Sequence, residues 1–255
     1  MVAFHEYVTV KKLTKRGNME RFKRTVALIG KDGFSKLNSK KVIVFGLGGV
    51  GSYIAEALVR SGVRKIAVVD SDVVSESNIN RQLIALDSTI GKLKTEVFYE
   101  RAKDIYPDVL VKRYPIFYNE ETANEIDLSL YDYIIDAVDT VTAKLMIIQK
   151  AVALNKPIIS CMGTGNKLDP TAFKVADISK TKYCPLARVM RRELSKRSIN
   201  SGVKVLYSEE QSLSPIADDE SDKKGNGLAP ASISFVPSVA GLIIAGEVIK
   251  DLIKA

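Results

Sequence analysis

Cysteine occurs only twice, as Cys161 and Cys184, in a chain of 255 residues. Two thiols cannot form the disulfide framework of a small secreted domain, and they lack the paired CxxC spacing of a structural zinc site. The chain therefore reads as intracellular, is expected in the cytoplasm, and needs no structural metal. Histidine is scarcer still. His5 stands alone, in a basic N-terminal stretch, so histidine-centred acid–base chemistry is not expected. That stretch lacks the apolar h-region of a secretory signal. Residues 1–18 read as an N-terminal extension, with Met19 as an alternative start.

An uninterrupted apolar run of membrane length is also missing. Residues 228–246 carry no charge and approach a spanning length, but Pro230, Ser232, Ser234, Pro237 and Ser238 interrupt them, so no integral span is expected. They read better as a short buried strand at 232–236. A helix from Pro237 would follow, its small residues Ala240, Gly241, Ala245 and Gly246 permitting close packing. The net charge of +8 admits an anionic partner without saying which.

What is present is a regular alternation. Apolar runs at 42–45, 66–69, 109–114, 133–138 and 157–162 have strand length and composition. Helical stretches at 52–61, 93–105 and 143–154 separate them; the second sets Leu93, Val97, Phe98, Ala102 and Ile105 on one face before Pro107. Parallel neighbours need such crossovers. The expected fold is α/β, a Rossmann-like doubly wound, mainly parallel sheet. Beyond residue 163 the pattern changes: 171–176 alternates like an antiparallel strand, 185–197 is a basic helix, and 208–227 is a polar loop rich in breakers. Residues 19–255 are read as one domain, with a nucleotide-binding core at 40–165 and a substrate-facing part at 166–255.

Directly after the first run comes Gly46-Leu47-Gly48-Gly49-Val50-Gly51, followed by a helix. Glycines there allow a tight turn and let phosphate oxygens reach backbone N–H groups at a helix N-terminus. A side chain would block both. Asp70 ends the second run, where a carboxylate can accept both ribose hydroxyls or simply cap the next turn. Up to this point a nicotinamide dinucleotide fits as well as ATP. The next residues separate them. Arg81 offers a planar fork for phosphate and Lys94 a point charge, cations that a pyrophosphate already seated on a glycine turn does not require. Asp139, at the carboxyl end of the fourth run, could hold Mg²⁺ through one or two oxygens. The plainer readings are a solvated lysine at a helix start and an aspartate in a surface loop.

GLGGVGS, the Asp70/Asp72 pair, Ser77-Asn78-Ile79-Asn80-Arg81-Gln82, Gly91-Lys92-Leu93-Lys94 and Asp136-Ala137-Val138-Asp139 resemble, in order and spacing, the HesA/MoeB/ThiF branch of the ubiquitin-activating-like superfamily. The resemblance implies ATP and Mg²⁺ as cofactors. It assigns Asp70 to the ribose, Asn80, Arg81 and Lys94 to the phosphates, and Asp139 to the metal and the reacting phosphate, with Asp72 and Gln82 in the same pocket. Arg21-Phe22-Lys23-Arg24-Thr25 is similar to the motif that sends an arginine into the other subunit, which implies a homodimer with Arg24 as an arginine finger. Otherwise Arg24 belongs to a basic helix face.

Members that activate ubiquitin-like sulfur carriers usually hold two CxxC pairs; this chain has none. Instead, the stretches 162–171, 177–181 and 185–194 look like those of the tRNA threonylcarbamoyladenosine dehydratases. Position 184 departs from that pattern, with cysteine where aspartate often precedes Pro-Leu. The resemblance implies tRNA carrying threonylcarbamoyladenosine as substrate, carboxylate adenylation followed by ring closure as chemistry, and sulfur-relay proteins as further partners. Seven cations, Lys180, Lys182, Arg188, Arg191, Arg192, Lys196 and Arg197, are candidates for RNA phosphates, with 188, 191, 192 and 196 roughly along one helix side. A solvated helix face is the alternative. Cys161 is expected to be buried and inert, Cys184 to be more exposed. Adenylation of a carrier protein and non-catalytic nucleotide and RNA binding remain as other readings.

Overall fold

The computed structural model describes residues 20–214, 223–224, 227–228 and 230–254. The expected N-terminal extension and half of the expected loop 208–227 lie outside them. β1 (Lys41–Phe45), β2 (Lys65–Val69), β3 (Leu110–Tyr114), β4 (Tyr133–Asp136) and β5 (Ile158–Cys161) fall on the five apolar runs. With β6 (Phe173–Asp177) and β7 (Lys204–Ser208) they build one seven-stranded sheet in the order β3-β2-β1-β4-β5-β7-β6. Every pairing is parallel except β6 with β7. β8 (Lys223–Lys224) and β9 (Gly227–Leu228) form a separate antiparallel pair.

The helices cover both faces. α1 (Lys23–Ser39) is kinked at Gly30, where φ is 75°. α2 (Gly51–Ser61), α3 (Lys94–Ile105), α4 (Val141–Ala153), α5 (Pro185–Ser195) and α6 (Phe235–Lys254) follow in chain order. Alternate residues of β1 serve two cores: Val42 and Val44 join Ile54 and Leu58 of α2 and Ile244 of α6, whereas Ile43 and Phe45 join Ile147 of α4 and Met190 of α5. Burial on both faces is why these strands read as continuous apolar runs.

Three expectations are corrected here. No strand forms at 232–236; the helix begins at Phe235. Proline fits a first helical turn, and the residues before it are held by other means, with Asn166 donating its backbone N–H to the Ala231 carbonyl (2.8 Å) and accepting the Ala231 N–H on Oδ1 (2.7 Å). Of the small residues in α6, Gly241 does permit a close approach, since a Cβ there would lie 2.5 Å from the Val50 carbonyl, but Gly246 has nothing near it. Leu93 is 41% exposed and stands outside the apolar face of α3, because it caps that helix and bridges to Val73. β7 was not expected at all. No helix among the described residues is long and apolar enough to cross a membrane.

Candidate active site

Strand order reverses between β1 and β4, and a doubly wound sheet opens its ligand crevice there, beyond the carboxyl ends of the strands. The glycine turn leaves β1 on one side; Asp139 follows β4 on the other. Gly46 has φ 86° and a Cβ on it would lie 2.7 Å from the Ala137 carbonyl, so the two strand ends touch. A Cβ on Gly51 would collide with the Gly46 carbonyl oxygen. Gly49 is flanked by the Arg81 and Pro237 side chains at 3.3 and 3.2 Å from its Cβ position. Gly48 has only Gln82 Nε2 within 4.0 Å and otherwise faces open space.

Asp70 sits against this turn. Its Oδ2 accepts the Leu47 N–H at 2.6 Å and its Oδ1 the Asp72 N–H at 2.9 Å. Burial pushes its carboxyl above the ordinary range; the Lys94 charge and those two N–H donors offset part of that rise. Each carboxylate oxygen keeps a further lone pair for a ribose hydroxyl. Lys94, whose plainer reading is a solvated lysine at a helix start, is instead 4% exposed. Its Nζ lies 2.7 Å from Asp72 and 3.9 Å from Asp70, so this buried cation is carried by the carboxylates beside the turn. A cation is retained in such a place when paired.

Arg81 approaches from the loop after β2. Its Nη1 donates to the Ser77 carbonyl and to Asn80 Oδ1, both at 2.9 Å, and the other guanidinium N–H groups of the fork have no partner among the described residues and can take an anion. Asn80 Nδ2 donates to the Ser232 carbonyl at 3.1 Å and so ties this loop to the segment before α6. Gln82 is buried, and its Oε1 has no partner among the described residues. Asp139 is exposed at the crevice; Thr140 Oγ1 donates to its Oδ1 at 3.2 Å. No group of three or more His, Cys, Asp or Glu side chains among the described residues could enclose a metal ion. A single outward carboxylate suits a Mg²⁺ that arrives on a nucleotide, because Mg²⁺ keeps most of its ligands as water and phosphate.

A ThiF-family model matches residues 22–255. The chain belongs to the ThiF family. Within that family it is 43% identical over 243 residues to the tRNA threonylcarbamoyladenosine dehydratase of Bacillus subtilis (strain 168), covering 92% of this chain and 96% of that one. The crystal structure of the E. coli tRNA N6-threonylcarbamoyladenosine dehydratase, TcdA, in complex with AMP superposes with a TM-score of 0.86 at 29% identity, over 96% of this chain and 98% of that one. The same E. coli enzyme in complex with ATP gives 0.83 at 28% identity, over 97% and 98%.

Two further residues of the candidate site have no counterpart among the sequence expectations. Ser52, fully buried, donates to the Gly48 carbonyl at 2.7 Å and accepts the Leu83 N–H at 3.3 Å, joining the glycine turn to the Arg81 loop. Lys144, also fully buried, donates to Asp136 Oδ2 at 3.0 Å and to the Cys161 carbonyl at 2.6 Å, while Ser160 Oγ donates to the same Asp136 oxygen at 2.5 Å. Asp136 Oδ1 accepts the Val138 N–H at 3.2 Å, one residue before Asp139. A lysine inside the apolar run Ala143–Ile148 was the available signal.

Cys161 is buried as expected, and burial pushes its thiol up to about 12, so it is protonated and inert at neutral pH. Cys184, expected to be exposed, is only 3% exposed and packs beside Gly163. Arg191 does not share the outer side of α5 with Arg188 and Arg192: its guanidinium turns inward to the Thr181 carbonyl at 2.8 Å and the Thr181 hydroxyl. Arg192, Lys196 and Arg197 all reach Glu193, at 3.2, 2.9 and 3.3 Å, and hold its carboxyl down at about 2. Lys180, Lys182 and Arg188 are exposed and without an ion pair among the described residues.

Proposed function

We infer that this chain dehydrates threonylcarbamoyladenosine in tRNA in an ATP-dependent reaction. The observation that carries the choice of ATP over a dinucleotide is the placement of two cations from separate segments beside the glycine turn: Arg81 next to Gly49, and buried Lys94 on the carboxylates of Asp72 and of Asp70, the latter accepting the Leu47 and Asp72 N–H groups. The likeness to the named dehydratases of B. subtilis and E. coli, over nearly the full length of each, supports the tRNA substrate.

The chemistry follows from the substrate. The threonyl carboxylate is a poor electrophile, because its oxygen is a poor leaving group. Its attack on the α-phosphate of ATP forms a carboxylate–phosphate bond and breaks the α–β bond, releasing pyrophosphate. The neighbouring carbamoyl group then attacks the acyl carbon, a ring closes, and AMP leaves with a proton; the nucleoside has lost one water. Both reacting groups belong to one substrate, so the second step is effectively unimolecular and needs no enzyme nucleophile. That agrees with two buried cysteines.

In this reading the turn 46–51 cradles the phosphates, with Asp70 and Asp72 at the ribose side and Asn80 and Gln82 lining the pocket. Arg81 and Lys94 neutralise charge on the triphosphate. Asp139 would hold Mg²⁺, which when bound draws charge from the phosphate oxygens. A homodimer would complete the site through Arg24, exposed on α1. The exposed apolar residues Val73, Ile79, Leu86, Ile90 and Leu93, all in the stretch bordering the crevice, support such an interface. Lys180, Lys182, Arg188, Arg192, Lys196 and Arg197 would face RNA phosphates in a cytoplasmic enzyme, with sulfur-relay proteins as further partners.

Mass spectrometry of nucleosides from threonylcarbamoyl-modified tRNA, incubated with protein, ATP and Mg²⁺, tests the reading. Loss of the mass of one water is expected with the intact chain and not with Asp139→Ala. Intact substrate after incubation with active-site-intact protein would remove the dehydratase assignment; unimpaired conversion by Asp139→Ala would remove the metal role. Pyrophosphate exchange that responds to a Gly-Gly-terminated protein and not to tRNA would point to carrier adenylation.

A further inference from the structure

We propose that Tyr183 is a stacking platform for an unpaired base of the tRNA, held beside the adenylating crevice by a strained turn and flanked along the chain by the exposed cations Lys180, Lys182 and Arg188. The proposal rests on the tRNA-dehydratase reading above and adds the contact that recognises a base.

Tyr183 is 62% exposed, and no hydrogen bond or ring contact among the described residues holds its side chain. Its φ is 57°, and the Cys184 N–H donates to the Lys182 carbonyl at 2.6 Å across it. That is a three-residue turn with the central residue at positive φ, the rare and strained form. A large side chain is costly there and glycine is not. Strain of this kind persists when the surroundings over-determine it. Here they do: Thr181 before the turn is buried and pinned by the Arg191 guanidinium, and Cys184 after it is buried. The fold fixes the backbone on both sides and leaves a ring pointing away from the core.

The turn lies at the working edge of the sheet. A Cβ on Gly163, two residues beyond β5, would be 4.0 Å from Cys184 Sγ and 3.8 Å from Leu186 Cβ. β5 is the neighbour of β4, whose carboxyl end leads to Asp139. Charge singles out the same spot. Arg192, Lys196 and Arg197 are drawn to Glu193 and Arg191 to Thr181, so of the seven cations Lys180, Lys182 and Arg188, which flank the tyrosine along the chain, are those without an ion pair among the described residues. An aromatic face among free cations fits a single-stranded nucleotide, whose base stacks while its phosphates are neutralised. A duplex keeps its bases stacked and cannot use the ring.

The test compares wild type with Tyr183→Gly, which removes the ring at a backbone angle glycine accepts, and with Tyr183→Phe, which keeps it. Dissociation constants are measured for the tRNA and for a perfect RNA duplex, alongside turnover of modified tRNA. Tyr183→Gly is expected to weaken tRNA binding about 5- to 150-fold. Duplex affinity and the salt slope should not change, the melting temperature should not fall because glycine accepts this backbone angle, and Tyr183→Phe should behave as wild type. Lys182→Ala should instead lower the salt slope for both RNAs. Equal tRNA affinity in wild type and Tyr183→Gly overturns the stack, as does an equal loss for tRNA and duplex. Because binding is read without catalysis, failure of the dehydratase assignment appears separately, as wild-type protein that turns over no modified tRNA.

Discussion

Lys144 and Asp136 form an ion pair from which water is excluded, and the pair holds the end of β4 through the Val138 N–H. Removing one partner leaves the other charged and unpaired in the core. Lys144→Met is therefore expected to lower stability by about 3–5 kcal/mol, and Asp136→Asn added to it to restore part of that loss. Chemical denaturation of the two variants checks this; equal stability of Lys144→Met and wild type would show that the pair contributes nothing. Asp70 makes a pH prediction. Its carboxyl titrates above its ordinary value of 3.8 in the fold, so its contribution to stability is fully present below that value and is lost as pH rises through the raised one. Asp70→Asn should flatten that dependence in nucleotide-free protein and weaken ATP binding. Thermal denaturation across the carboxylate range, with an unaltered profile in the variant, would refute the assignment.

Among the elements, the glycine turn separates packing from ligand binding. Gly46 and Gly51 are required by the fold itself, since a Cβ on either meets backbone. Gly51→Ala should cost about 1–3 kcal/mol or more through overpacking. Gly48 is different: the described residues leave its Cβ position open, so packing among them does not require it bare, and a bound phosphate would. Gly48→Ala is expected to keep the wild-type melting temperature and to weaken ATP binding roughly tenfold or more, the loss of a hydrogen bond to a charged oxygen. Unchanged affinity by calorimetry would mean that phosphates do not sit there. The element missed in the sequence, β7, is Lys204-Val205-Leu206-Tyr207-Ser208, a run short enough to pass for loop after Gly202. Its length fits a strand, but only its neighbours β5 and β6 define it as one.

At the scale of the molecule, the proposed arginine finger requires two chains. Arg24 is exposed on α1 and lies outside the hydrogen-bonded site described here. Arg24→Ala and Asp139→Ala should each abolish turnover alone, whereas a mixture of the two, allowed to exchange subunits, should regain part of it, because some mixed dimers contain one intact site. No recovery in a mixture shown to have exchanged would place Arg24 outside the reaction.

The linear order alone settled the parallel α/β core and the glycine turn that follows its first strand, because strand and helix periods and the glycine spacing are local properties that any fold of this chain must respect. It placed Asp70, Arg81, Lys94 and Asp139 as candidates for the same reason. Tertiary structure decided what their environments are: that Lys94 is buried on two carboxylates, that Lys144 neutralises Asp136, that Cys184 is covered, that four of seven cations are engaged within the protein, and that β7 enters the sheet between β5 and β6. Burial and charge pairing depend on which distant segments pack together, and residue spacing does not carry that information.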